Sequence, residues 1–192
     1  MRKIVLGAIF IALVSCTMKQ EQKTGPKDEH TKVEAIDSNY DPESKVQELG
    51  ISLSTPSAPV ANYVNAVRTG NLIFLSGKGP LKADGENISG KLGVDLSIEE
   101  GYEAARITGI NQLSVLKVEL GNLNRVKRII KVKGMVNAAP DFTDHPKVIN
   151  GYSDLMVAVF GEKGKHARAA IGMGSLPGNI AVEIDMVVEV YE

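Results

Sequence analysis

Apolar positions recur along this chain with three different periods, and the changes of period divide it into elements. An unbroken apolar run, IVLGAIFIALVS, fills residues 4–15. A polar stretch of mixed charge follows to about residue 40. It has too few apolar side chains to offset the entropy of folding, and it reads as a flexible tether. Asp41-Pro42 then predicts a short helix, with Asp41 as its cap, Pro42 in the first turn and Gly50 as its stop. From Tyr63 the period becomes two. Tyr63–Arg68 and Asn71–Ser76 flank Thr69-Gly70 and predict a hairpin, and Asp84-Gly85 and Ser89-Gly90 punctuate a weaker excursion through Leu92.

Ser97-Ile98-Glu99-Glu100 is a capping box, in which hydroxyl and carboxylate each satisfy a free backbone amide. The helix it opens runs to Leu120, with Ala105, Leu113, Leu116 and Leu120 on one face and Gly121 at its end. Val126–Val136 predicts a strand with Ile130, Val132 and Val136 facing one way. A second long helix follows Pro146 through Phe160. His166–Met173 and Ile180–Tyr191 predict a closing hairpin about Pro177-Gly178. The fold class expected is α+β: a sheet with two long helices on one face.

The apolar run at the start is short for a membrane span, which needs about twenty residues, and it follows Arg2 and Lys3. It reads as a signal peptide over residues 1–15, ending at Cys16, the one cysteine of the chain. The pattern resembles a lipobox, so Cys16 is expected to carry a lipid anchor at the cell envelope of a bacterium. The tether would span residues 16–40 and the domain residues 41–192. With Cys16 acylated, no thiol is left for a disulfide or for nucleophilic catalysis. Removing Arg2 and Lys3 from 22 basic against 23 acidic side chains leaves an acidic balance. That balance argues against nucleic acid as a partner.

The closing pair of strands carries the strongest chemical signal. Ala167, Ala169, Ile171 and Met173 alternate with His166, Arg168, Ala170 and Gly172, while Glu183 falls between Val182 and Ile184. Alternation places Arg168 and Glu183 on one sheet face, away from the helices. Pairing Gly174 with Asn179 would set Ala170 opposite Glu183, with Arg168 its diagonal neighbour. From the residues alone, this is either a solvated ion pair or a small polar site with room for a ligand.

Ser57–Pro80, SAPVANYVNAVRTGNLIFLSGKGP, and His166–Val190, HARAAIGMGSLPGNIAVEIDMVVEV, resemble the opening and closing motifs of the RidA/YjgF family. Ala105-Arg106, Asn111 and Val148-Ile149-Asn150 fall where that family has similar segments, and the resemblance extends from Ser57 to Glu192. It implies a chorismate-mutase-like fold, a homotrimer with clefts between subunits, and hydrolysis of enamines and imines such as 2-aminoacrylate to 2-keto acids and ammonium. It implies no cofactor. Arg168 would hold the carboxylate of a small substrate and Glu183 would handle water and protons. Tyr63, Ser76, Gly77 and Asn150 would line the cleft. The chain departs from the family pattern at Ala170, where Cys or Thr is frequent, so only the backbone there can assist. The interval from Asn150 to Arg168 is a few residues longer than usual. Export removes the protein from the pyridoxal enzymes that supply such substrates.

Other constellations are weak. His30, His145 and His166 lack metal-ligand spacing, so no metal site is expected. Neither Ser153 nor Ser175 sits in a GxSxG elbow, and Gly172-Met173-Gly174 matches no phosphate loop. Lys127, Arg128, Lys131 and Lys133 read as a solvated strand. Three functions stay open, in this order: a tethered deaminase, a non-catalytic binder of small carboxylates, and an endoribonuclease.

Overall fold

A computed structural model describes residues 40–191. The expected signal peptide, Cys16 and nearly all of the tether lie outside the described residues. The elements are helix α1 (Pro42–Glu48), strands β1 (Ala66–Thr69) and β2 (Leu72–Lys78), helix α2 (Ile98–Leu120), strand β3 (Val126–Asn137), helix α3 (His145–Phe160), and strands β4 (Ala167–Met173) and β5 (Val182–Val190). They form one five-stranded sheet in the order β1-β2-β5-β3-β4, antiparallel throughout except for the β3–β4 pair.

The helix starts follow the local chemistry. The Asp41 carboxylate accepts from the Glu43 and Ser44 amides. At α2 the Ser97 hydroxyl accepts from the Glu100 amide at 3.2 Å, and the Glu100 carboxylate accepts from the Ser97 amide at 2.8 Å. Gly121, at φ +71°, ends α2 in the left-handed conformation that a side chain disfavours. Both long helices lie on one sheet face, where Leu113, Leu116, Val132, Ile149, Met156 and Ile184 are fully buried. The helices approach closely at Gly151, where a Cβ would collide with the Tyr102 carbonyl.

Four expectations about the strands need correction. First, β1 begins at Ala66, so Tyr63 lies in the preceding loop rather than in a strand. Second, β3 buries Ile129 instead of Ile130. Its register against β5 shifts between Val126 and Arg128 and again between Ile129 and Lys131. Each bulge adds a residue, so the inward positions Val126, Ile129 and Val132 are spaced by three before alternation resumes.

Third, β4 and β5 do not form a hairpin. β4 lies parallel to β3 at the sheet edge, and β5 lies on the other side of β3. The connection turns at Pro177–Asn179 and crosses the end of β3. Buried Asn137 holds it there by donating to Gly90 O and to Asn179 Oδ1 at 2.9 Å. Fourth, β4 is inverted relative to expectation. Arg168, Ala170 and Gly172 face the helices, and Ile171 faces the open side, 42 % exposed. The pairings fix this: Arg168 is level with buried Val132, and a Cβ on Gly172 would collide with His145 at the start of α3.

A candidate site in two halves

The first half forms at the end of β2. Leu75 pairs with Met186 and Lys78 with Ile184, so three steps along β2 match two along β5 and Ser76-Gly77 bulges. A bulge strands backbone carbonyls, and here α2 satisfies them. The amide of fully buried Gln112 donates to Ser76 O at 3.0 Å and to Ile184 O at 2.8 Å. The bulge lets Gly77 lie directly under Glu183. A Cβ at position 77 would collide with the Glu183 carboxylate, so glycine there is a requirement of close approach.

Ser76 donates its hydroxyl to Val64 O at 2.6 Å, which ties the bulge to the loop before β1. Between that loop, the end of β2 and α2 lies a cavity of about 350 Å³, lined among others by Tyr63, Gly77, Lys78 and Asn111. Lys78 reaches across and donates to Asn65 Oδ1 at 2.6 Å.

The second half forms at the opposite edge, between β4 and α3. Asn150 and Ser153 share a face of α3, one turn apart. One terminal nitrogen of Arg168 donates to both, at 2.9 Å to Asn150 Oδ1 and 3.0 Å to Ser153 Oγ. Both hydrogens of that nitrogen are thereby used. The edge formed by Nε and the other terminal nitrogen is left to take a carboxylate by two parallel bonds. Ala170 packs its methyl against the core beside this site.

Behind Arg168 the hydrogen bonds have one consistent direction. A carbonyl can only accept, so His166 Nδ1 carries the proton donated to Gly164 O at 2.6 Å. Nε2 is then bare and accepts from the Ser153 hydroxyl at 3.1 Å, while Ser153 Oγ accepts from Arg168. Burial pushes the imidazole below its ordinary 6.5. The bond to Gly164 opposes that shift, and the positive charge of Arg168 adds to it. Among the described residues, no carboxylate lies within ion-pair distance of Arg168 or Lys78.

Arg168 and Glu183 are therefore not neighbours within a subunit. Arg168 is level with Val132, and Glu183 with Met135, two strands across and three positions along. At sheet spacings this separates their Cα atoms by roughly 14 Å, and the two side chains point to opposite faces. Of the residues expected to share a cleft, Tyr63, Ser76, Gly77 and Glu183 cluster in one half, and Arg168, Asn150 and Ala170 in the other. Sequence reasoning did not find Gln112, Lys78, Ser153 or His166. The i, i+3 spacing of Asn150 and Ser153, and the two-residue step from His166 to Arg168, were the available signals.

Residues 43–190 match the family model described as "YjgF/chorismate_mutase-like, putative endoribonuclease". A Trypanosoma cruzi protein, Protein TCP17, is 43 % identical over 147 residues, which cover 76 % of this chain and 92 % of the relative. The crystal structure of "a putative endoribonuclease" from Shewanella oneidensis MR-1 superposes with a TM-score of 0.75 at 32 % identity, covering 78 % of this chain and 99 % of that one. RidA from an Antarctic Psychrobacter shares the fold at 23 % identity, with a TM-score of 0.51 over 73 % of this chain and 98 % of that one.

The lowered basicity of His166 gives a pH prediction. A depressed pKa means that the folded state binds this proton less readily than the unfolded chain. The stability His166 contributes is full above its ordinary 6.5 and is lost as pH falls through its lowered value. Melting temperature should therefore drop on acidification in the wild type, and His166→Asn should flatten that part of the profile. Parallel pH profiles for the two proteins would contradict the assignment.

Proposed function

Because the chain belongs to the YjgF/chorismate-mutase-like family, we propose that it hydrolyses small enamine and imine carboxylates to 2-keto acids and ammonium, in clefts completed between the subunits of a homotrimer. One observation carries the reading. A guanidinium with a free two-donor edge stands at the β4 edge of the sheet, and a carboxylate above a glycine stands two strands away on the opposite face. Each is half of a site for an imino acid, and they are complementary.

In this reading Arg168 of one subunit grips the substrate carboxylate and orients the α-carbon over Glu183 and Gly77 of the next. An enamine first takes a proton from solvent at its β-carbon and becomes the protonated imine. Glu183 then removes a proton from water as the oxygen bonds to the imine carbon and the C=N pair moves onto nitrogen. Glu183 returns that proton to the nitrogen. The hydroxyl loses its proton as the C=O bond forms, and the C–N pair leaves with ammonia, which takes up the released proton as ammonium. One water is consumed and one ammonium leaves. The imine carbon is already electrophilic, so orientation and one positioned acid–base group suffice.

The sheet supports an assembly of this kind. Its open face exposes Val67, Phe74 and Ile171 at 56, 45 and 42 %. Its charged groups include Lys133 and Asp185, already paired at 2.7 Å. Exposed apolar side chains among paired charges suit a subunit contact. Edge strand β4 has one sheet neighbour, so a second subunit can approach Arg168 from the free side. The ribonuclease in the family's description would need a basic groove. In the basic run of β3, Lys127 and Lys133 are instead paired with Glu189 and Asp185.

The proposal includes the anchor. A short apolar run behind two basic residues and ending at Cys16 suits a lipoprotein leader. Acyl chains there would hold the domain at the envelope, at about 0.8 kcal/mol per buried CH₂. Cys16→Ala should leave the protein unprocessed or soluble. Intact mass showing an unmodified cysteine in membrane fractions would refute the anchor.

The activity is tested by ammonium release from freshly generated 2-aminoacrylate. A charge-assisted contact contributes about 1.5–3 kcal/mol, so Arg168→Ala should reduce turnover by about ten- to a hundred-fold. Glu183→Gln keeps shape and hydrogen bonding but loses the proton acceptor, and should lower kcat more than it raises KM. Full turnover in Arg168→Ala would remove Arg168 from the site. Absent turnover in the wild type, with 2-keto-acid binding that Arg168→Ala abolishes, would make the protein a binder instead.

A further inference from the structure

Hydrolysis of a simple imino acid accounts for Arg168, Glu183 and Gly77, and leaves Lys78 without a task. Lys78 follows Gly77 directly, and the bulge turns its side chain away from Glu183 toward the helix side, where it lines the cavity of about 350 Å³. Its amine donates to one neutral acceptor, Asn65 Oδ1. Burial alone pushes that amine below its ordinary 10.5. A cation partly withdrawn from water with no anionic partner is costly, and an anion supplied by a ligand would offset the cost.

The rest of the lining narrows what the cavity takes. Asn111 spends both amide hydrogens on Gly79 O and Leu81 O, at 3.0 and 3.1 Å, and Ser114 donates its hydroxyl to Ile110 O. Asn111 and Ser114 have no donor left for a ligand, whereas Lys78 keeps two N–H groups and the charge. The hydroxyls of Ser54, Thr55, Ser57 and Tyr63 are neutral donors along the wall. Pro56, Val60 and Ile180 supply apolar wall. A slot with partly apolar sides and an ammonium suits a short methylene chain ending in a carboxylate. Gly77 belongs both to this cavity and to the spot beneath Glu183, so the two adjoin at that residue.

We infer that the Lys78 cavity is a subsite for a second, distal carboxylate, and that the preferred substrates are imines of dicarboxylic amino acids. This rests on the deaminase reading for the position of the reacting carbon. In that arrangement Arg168 of one subunit holds the α-carboxylate and Lys78 of the next holds the ω-carboxylate. The reacting carbon is suspended between them beside Glu183, and two anchored ends define its position better than one.

Two measurements on the full chain test the subsite separately from the reaction. Imines of glutamate and of 2-aminobutyrate, generated in place by an amino-acid oxidase, are compared by kcat/KM. The dicarboxylic imine should be favoured by about ten-fold or more, Lys78→Met should reduce the ratio to within about two-fold, and Lys78→Arg should retain most of it. A wild-type ratio of one or below, or a ratio unchanged in Lys78→Met, overturns the inference. Calorimetry with 2-oxoglutarate and 2-oxobutanoate gives the second reading. Tighter binding of 2-oxoglutarate that Lys78→Met abolishes supports the subsite even if no imine is turned over, in which case only the deaminase reading fails. Equal binding of the two acids in the wild type overturns the subsite.

Discussion

Buried inside α2, the Gln112 amide donates to the Ser76 and Ile184 carbonyl oxygens and so holds open the bulge on which one half of the site is built. Without those bonds two carbonyls would be buried unsatisfied, at about 1–3 kcal/mol each. β2 would then gain by closing into regular pairing with β5. Regular pairing would remove the extra residue and reverse the faces of everything beyond it. Gly77 would leave the underside of Glu183, and Lys78 would leave the cavity. One side-chain amide thus sets the geometry of the glycine, the carboxylate and the ammonium together. The remaining oxygen of Gln112 is buried without a partner, so the two donated bonds carry the side chain's whole polar interaction with the protein.

The sheet order then decides where the other half can be. A hairpin of β4 and β5 would have set Arg168 beside Glu183 as an ordinary ion pair. Inserting β3 between them sends Arg168 to the edge, where Asn150 and Ser153 hold one nitrogen and His166 orients Ser153. The guanidinium is fixed in place and keeps its charge unneutralised, as a carboxylate anchor requires. A subunit that separates an anchored cation from a positioned carboxylate by two strands is chemically incomplete. In the proposed homotrimer, rotational symmetry would bring the two halves together without any further residue.

Much of the fold was legible in the sequence because it is written in local chemistry. Asp41, Ser97 with Glu100, and Gly121 mark helix ends through bonds made within one turn, and the helices begin and end where those residues predict. The hairpin about Thr69-Gly70 was read correctly, but pairing between distant strands is not local, and there the reading failed. In β4 itself the open side carries Ala167, Ala169, Ile171 and Met173 while the helix side carries Arg168, so alternation within that strand pointed the wrong way. The two bulges in β3 broke the period that identified Ile130 as inward. The expected site residues fall into two groups that the sequence did not separate, because the grouping depends on which strand lies between β4 and β5. Gln112 gave no signal, since one polar residue on a helix reads as solvated until its burial is known.

Mixing two inactive variants decides whether the reacting site forms between subunits. Arg168→Ala and Glu183→Gln chains are co-expressed with different tags, and trimers containing both are isolated and assayed for imine hydrolysis. In a cyclic trimer that contains both variants, one interface of the three pairs an intact Arg168 with an intact Glu183, about a third of the wild-type number. Mixed preparations should therefore recover about that fraction of wild-type activity, while each variant alone stays near background. If Arg168 and Glu183 served one site within a single subunit, every chain in the mixture would lack one of them. Activity no higher than that of the separate variants, in verified mixed trimers, would contradict the account.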